Sequence, residues 1–331
     1  MPTGSPPPNL RHRRPSVPSP SGSSGPSALH SAESAITSAT TKLTTALHIS
    51  WDDLPPWRRD NPSILTSYRP TSNSYTLSFL SLFHLHNESV NIWTHLLGSV
   101  LFTLLSLYLY ILLHPRYETA SQADILVFAC FFAGAAVCLG MSATYHTLCN
   151  HSESVAKWGN KLDYSGIVVL IVGSYVPALW YGLGCHGEGG LMSFYLGMIA
   201  LLGLGCLAVS WFEHFRTPAW RPYRALMFVG LGASGVVPIV HMLVTDYSYS
   251  QLNELMGLNW VIFQGALYML GAFIYAARWP ERQNPGKFDI WGSSHQIFHV
   301  CVVLAAASHL YGMVKAFDFH HSVLDGHCQV R

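Results

Sequence analysis

Seven times between residues 91 and 316 the chain runs for about twenty residues with almost no charge, roughly over 91–113, 123–147, 161–183, 190–212, 223–244, 258–278 and 295–316. A bilayer core about 30 Å thick takes about 20 apolar residues as helix. Within it the backbone N–H and C=O groups must find partners inside the protein, which helices supply. The pattern predicts an all-α integral membrane protein with seven transmembrane helices. Composition agrees, since half of the residues are apolar and 11% are charged, against about 25% in soluble domains. Pro177 and Pro238 fall inside the third and fifth segments, and each predicts a kink. A net charge of +1 without a basic block excludes nucleic acid as a partner. The seven cysteines contain no C-x-x-C pair, so neither a zinc ribbon nor a thioredoxin-type site is expected.

The flanking segments differ in kind. Residues 1–45 are rich in Ser, Pro, Thr, Gly and Ala, too poor in apolar surface to offset chain entropy, and are read as a disordered tail. They lack the charged start and apolar stretch of a cleaved signal peptide. Residues 46–90 read as a cytoplasmic and interfacial segment, with a short amphipathic helix at "TLSFLSLFHL" (76–85). Residues 91–316 form the membrane domain and 317–331 a short outer tail.

Lysine and arginine in the short connections set the orientation. Arg58, Arg59 and Arg69 precede the first segment. Lys157 and Lys161 follow the second, Arg216, Arg221 and Arg224 lie between the fourth and fifth, and Arg278, Arg282 and Lys287 between the sixth and seventh. The opposite side carries Arg116, Lys315 and Arg331. The N-terminus is therefore expected in the cytoplasm and the C-terminus outside. G-protein-coupled receptors and rhodopsin-type pumps have the reverse orientation, and the last segment has no lysine at its middle for retinal.

Ionisable side chains inside membrane segments are functional candidates. Three segments bring them to one depth. The second ends "CLGMSATYHTL", with Ser142 and His146 four apart on one face. The third opens "NKLDYSGIVVL", with Asp163 in its first turn, and the seventh opens "SSHQIFHV", with His295 and His299. Histidines at i and i+4 rise by about 6 Å and grip one metal from one helix. Three imidazoles suit zinc, and three protein ligands plus a water make an open, catalytic-type site. His146, His295 and His299 are the expected ligands. In the H-E-x-x-H motif the glutamate is the general base; here that place holds Gln296, so the base must come from another helix, and Asp163 lies at the right depth. Zinc that activates a water and polarises a carbonyl describes hydrolysis of an amide or ester.

Other polar side chains have plainer readings. His95, His241 and His309 are expected to be hydrogen-bonded packing groups, His309 lying about 21 Å along the helix from His295. Ser142 is either a donor behind the metal or a small packing residue. "HTLCNH" could hold zinc through His146, Cys149 and His151, but Cys149 reads better as a plain interfacial cysteine. Cys185 and Cys328 share the outer side and could pair.

The blocks "YRP", "HNESVNIWTHLLG", "SATYHTL", "LDYSGI" and "SHQIFHV" resemble, in order, those of the adiponectin-receptor-like family, which comprises progestin and adipoQ receptors with bacterial hemolysin III relatives. The resemblance runs from about residue 66 to 316, and the Ser/Pro-rich tail resembles that of fungal members. It implies seven helices with a cytoplasmic N-terminus, zinc on His146, His295 and His299, a water held by Asp163, and Ser142 near the zinc. It also implies ceramidase-like hydrolysis of lipid amides, with catalytic roles for Asp163 and Ser142 and a ceramide- or sphingolipid-like substrate or ligand between the helices. The alternatives within the resemblance are a receptor with structural zinc, open to a protein or peptide ligand, and a factor in zinc and sterol homeostasis. The expected location is integral in a membrane, multi-pass, either the plasma membrane or the endoplasmic reticulum. Ligands gathered at one depth argue against a transport path.

Overall fold

The computed structural model describes residues 30, 31, 33, 34, 47–113, 115–184, 189–245 and 247–326. Nearly all of the N-terminal tail, and with it the expectation of disorder, lies outside the described residues, as do Cys185 and Cys328. From Leu47 on, the described residues form one compact unit. It is built of α1 (Tyr75–Leu80), α2 (Ser89–Leu113), α3 (Gln122–Leu148), α4 (Glu153–Gly182), α5 (Gly189–Trp211), α6 (Arg221–Ala233), α7 (Val236–Thr245), α8 (Tyr249–Met256), α9 (Leu258–Ala277) and α10 (Ser294–Ser322). Among the described residues, seven stretches are long and apolar enough to cross a membrane, with α6 and α7 together making the fifth. The protein is a multi-pass integral membrane protein.

Local chemistry sets the helix ends. Asp124 in the first turn of α3 accepts from the Ser121 amide at 2.9 Å and its hydroxyl at 2.8 Å, an acid well placed against the positive end of the helix. Gly257 joins α8 to α9 at φ 66°, and a Cβ there would stand 2.8 Å from the Gly312 carbonyl oxygen on α10. Pro177 is accommodated within an unbroken α4, whereas the fifth span breaks at Ser234 and Gly235, just before Pro238. Pro238 has no amide to offer the Ser234 carbonyl, which accepts instead from the Val237 amide at 3.1 Å. The Tyr175 hydroxyl serves the loosened turn, donating to the Gly232 carbonyl at 2.8 Å. α4 starts at Glu153, well before its apolar stretch, after Ser152 in extended backbone, and Glu153 pairs with Lys157 at 3.1 Å within its first turns. Asp163 therefore lies in the third turn of the helix rather than in the first.

α3 and α4 pack backbone to backbone. A Cβ on Gly166 would meet the Cys138 Cα at 2.8 Å, and one on Gly173 the Cys130 carbonyl at 2.7 Å. Small residues of this kind let membrane helices approach closely where no hydrophobic force drives them together. α10 is the most enclosed span, with 56% of its apolar window buried against 6% for α9. Phe131, Leu139, Val302, Ala306 and Phe317 form the core between α3 and α10. At one end of the bundle the His321 ring lies between the Thr119 hydroxyl, 2.8 Å from Nδ1, and the Asp124 carboxylate, 3.4 Å from Nε2. Tyr181 donates to the same carboxylate at 2.8 Å.

The opposite end is closed by the segment before α1 and the connection from α9 to α10. Asp289 accepts from the Leu65 and Thr66 amides at 3.0 and 2.8 Å. The buried Glu281 accepts from Asn61 at 3.1 Å and from the Ser294 amide at 2.8 Å, and Arg221 and Arg278 both pair with Asp60. The arginines counted above as loop charges are thus partly structural, for Arg69, Arg221 and Arg224 are buried.

Candidate metal centre

The close packing of α3, α4 and α10 brings the sequence-selected residues to the end covered by that cap. α3 carries Ser142 and His146 one turn apart, α10 carries His295 and His299 one turn apart, and α4 carries Asp163. The three imidazole centroids form a near-equilateral triangle: 5.0 Å from His146 to His295, 4.8 Å from His146 to His299 and 4.8 Å between the pair on α10. One donor nitrogen from each lies within 4.8 Å of the others. Tetrahedral zinc with bonds of about 2.0–2.1 Å needs donors about 3.4 Å apart, a difference small rotations of the rings would close.

The protonation pattern fits a metal at the centre. His146 Nδ1 donates to Glu88 Oε2 at 2.8 Å, and its Nε2 is buried without a partner. His299 Nδ1 faces the Asn91 carbonyl at 3.1 Å. A carbonyl only accepts, so Nδ1 carries the proton and Nε2 presents its lone pair. Metal-ligating histidines usually donate their other N–H to a carboxylate or carbonyl in this way, which fixes the tautomer and the ring. A buried cluster of three imidazoles can thus hold a metal ion.

Glu88, immediately before α2, and Asn91 in its first turn supply this supporting layer, which the sequence reading missed. Their i, i+3 spacing at the start of a mainly apolar helix was the available signal. Asn91 Nδ2 donates to Glu88 Oε2 at 2.6 Å. Burial works against the ionised Glu88 carboxyl, but His146, His295 and the hydrogen bond from Asn91 together hold the group below the usual carboxylate range. Arg69 is also new: its guanidinium donates to the His146 and Thr147 carbonyls at 2.6 and 2.9 Å and to Ser81 Oγ at 2.7 Å. It caps the last turn of α3 and fixes the backbone that carries His146.

The other expectations sort cleanly. Gln296 faces away from the triad, accepting from the Gly292 amide at 2.6 Å and donating to the Ile290 carbonyl at 2.8 Å. His241 bonds to Tyr195, and His309 Nδ1 lies 2.6 Å from Gln264 Oε1, as packing groups do. Cys149 takes a hydrogen bond from Arg69 and His151 pairs with Ser152, so the "HTLCNH" turn gathers no ligand set. The Ser142 hydroxyl faces Asp163. His146, His295, His299, Ser142 and Asp163 all line one cavity of about 940 Å³, which runs on between apolar side chains such as Ile239, Val261 and Met269.

Comparison with known proteins agrees with this geometry. The profile of the haemolysin-III-related family matches residues 83–310. The chain is 44% identical to the "Adiponectin receptor protein" of Drosophila melanogaster over 80% of its own length and 58% of that protein. It is 42% identical to "Progestin and adipoQ receptor-like protein 1" of Caenorhabditis elegans over 86% of itself and 63% of the relative. With "ADIPOR-like receptor IZH2" of Saccharomyces cerevisiae it shares 42% identity over 82% of the chain and 84% of the yeast protein. The chain spans less than two thirds of the fly and nematode proteins.

Proposed function

Because the chain belongs to the haemolysin-III-related family, with adiponectin receptors among its relatives, we propose that His146, His295 and His299 hold zinc in a membrane hydrolase of lipid amides, ceramide-like in class. The observation that carries this reading is the buried histidine triad opening onto a large, mainly apolar cavity. Zinc bound there would polarise the amide carbonyl and lower the pKa of an attacking water.

The chain's own residues do the rest. Glu88 and Asn91 hold the imidazoles of His146 and His299 in the tautomer that leaves a free nitrogen. Asp163 takes the proton of the attacking water and returns it to the leaving amine, general base and then general acid. Ser142, whose hydroxyl faces Asp163, keeps that carboxyl aimed at the centre. The apolar part of the cavity takes the acyl chain and keeps bulk water away. In this proposal the site lies at the cytoplasmic end, a reading supported by the Lys and Arg bias of the connections. The reading is tested on one purified sample by metal analysis together with release of fatty acid from a ceramide. Zinc at one equivalent with turnover supports it, and zinc without turnover of any lipid amide removes the enzymatic half.

A second reading rests on the relatives, three of which are named as receptors. Here the metal ties α3 to α10 and the cavity takes a ligand whose binding is the output. A ligand that alters coupling to a partner in a sample that hydrolyses nothing would favour it.

A further inference from the structure

His95 stands apart from the other membrane histidines. It is 3% exposed, and neither ring nitrogen has a hydrogen-bond partner; the His299 backbone lies near the ring without completing a bond. The ring is stacked on that of His299, centroids 3.6 Å apart and planes 8° from parallel, and it lines the same cavity as the triad. His241 and His309 each have a side-chain partner.

Burying an imidazole with both nitrogens unserved is costly. Packing against His299 does not require nitrogen atoms, for a phenyl ring would stack as well. The ring offers one donor and one acceptor, and the space it lines is the space a ligand would fill. We propose that His95 is a ligand-binding residue, one of its ring nitrogens hydrogen-bonding the polar head of a lipid amide lying in the cavity beside His299. This rests on the lipid-amide reading above and adds to it a specificity-determining contact. An amide or hydroxyl headgroup satisfies the buried ring, and a plain hydrocarbon leaves it unpaired. Sites built around a polar partner reject analogues that lack it more strongly than apolar pockets do.

The test uses the full chain in detergent micelles, with a ceramide bearing a fluorescent acyl tail as probe. His95→Phe keeps the stacked ring and removes both nitrogens; His95→Asn restores a donor and an acceptor without the ring. Zinc content, probe affinity, KM and kcat are read for each. The expected result is full zinc in both variants, probe affinity about tenfold weaker and KM raised in the Phe variant with kcat little changed, and partial recovery with Asn. A Phe variant that binds the probe as tightly as the native chain overturns the proposal, as does one that loses zinc, since His95 would then act by holding His299. If the native chain binds the probe without cleaving it, the hydrolase reading fails, and the affinity comparison still decides on His95. If it does not bind the probe, both fail.

Discussion

Glu88, immediately before α2, and His146 on α3 are joined at 2.8 Å, the carboxylate fixing the imidazole so that its second nitrogen is left free for the triad. Supporting carboxylates of this kind are worth about 10- to 100-fold in metal affinity. Glu88→Gln is expected to weaken zinc binding by that factor with the fold retained, measured by competition with a chromophoric chelator. Unchanged affinity would dissociate Glu88 from the metal.

Asp163 is the only carboxylate that the sequence reading places with the ligands, and it lies buried along the same cavity. Asp163→Asn keeps the shape and removes the proton acceptor. The variant should hold zinc at the native level and lose lipid-amide turnover by about 10²–10⁴-fold. Equal turnover with equal zinc would take the base role from Asp163.

His295 and His299 are two of the three candidate ligands and share one helix. Replacing both with alanine should abolish bound zinc, read by elemental analysis of purified protein. Full occupancy in that double variant would refute the site.

His86, just outside the first span, accepts the Glu88 amide at Nδ1, 3.0 Å away, and burial with nearby Arg69 pushes its imidazole down to about 2. In the unfolded chain a histidine titrates near 6.5. Between those values the unfolded state binds the extra proton, so stability is fully present above about pH 6.5 and is lost as pH falls. The loss is at most about 1.4 kcal/mol per pH unit from this group. Thermal melts in detergent from pH 7.5 to 5 should show a shallower decline for His86→Asn, which keeps an acceptor, than for the native chain. Parallel declines would show that His86 does not contribute.

Gly166 leaves no room for a side chain, its hypothetical Cβ lying 2.8 Å from Cys138 Cα. Gly166→Leu should force α3 and α4 apart, lowering stability by about 1–3 kcal/mol and reducing zinc occupancy, because the two helices carry His146 and Asp163. A native melting temperature with native zinc would show that the interface tolerates the bulk.

What could be read along the chain was whatever repeats at short range. Each span announces itself by its own apolar run, and the pairs Ser142/His146 and His295/His299 announce themselves by i, i+4 spacing. The expectation that three segments meet at one depth needed only helix direction; the triad joins the second and the seventh, and Asp163 of the third lines the same cavity. Contacts set by distant sequence were not legible. Glu88 meets His146 across 58 positions and Arg69 meets the end of α3 across 77 and 78; neither could be assigned a partner from a linear pattern. The break before Pro238 fell where expected, but the uninterrupted α4 through Pro177 depends on packing that one proline does not reveal. His95 was read as a packing group because most such histidines are, and its stacking on His299 belongs to the fold alone.

α10 is a single helix from Ser294 to Ser322, about 43 Å long at 1.5 Å per residue. His299 and His321 sit near its two ends and, at about 100° per residue, lie roughly 40° apart around its axis. With no break between them, the rod has one rotational setting. The hold of Thr119 and Asp124 on His321 and the aim of His299 at the triad are therefore two readings of the same angle, and a slip of one residue at the far end would turn the imidazole of His299 away from its partners by more than a quarter of a circle.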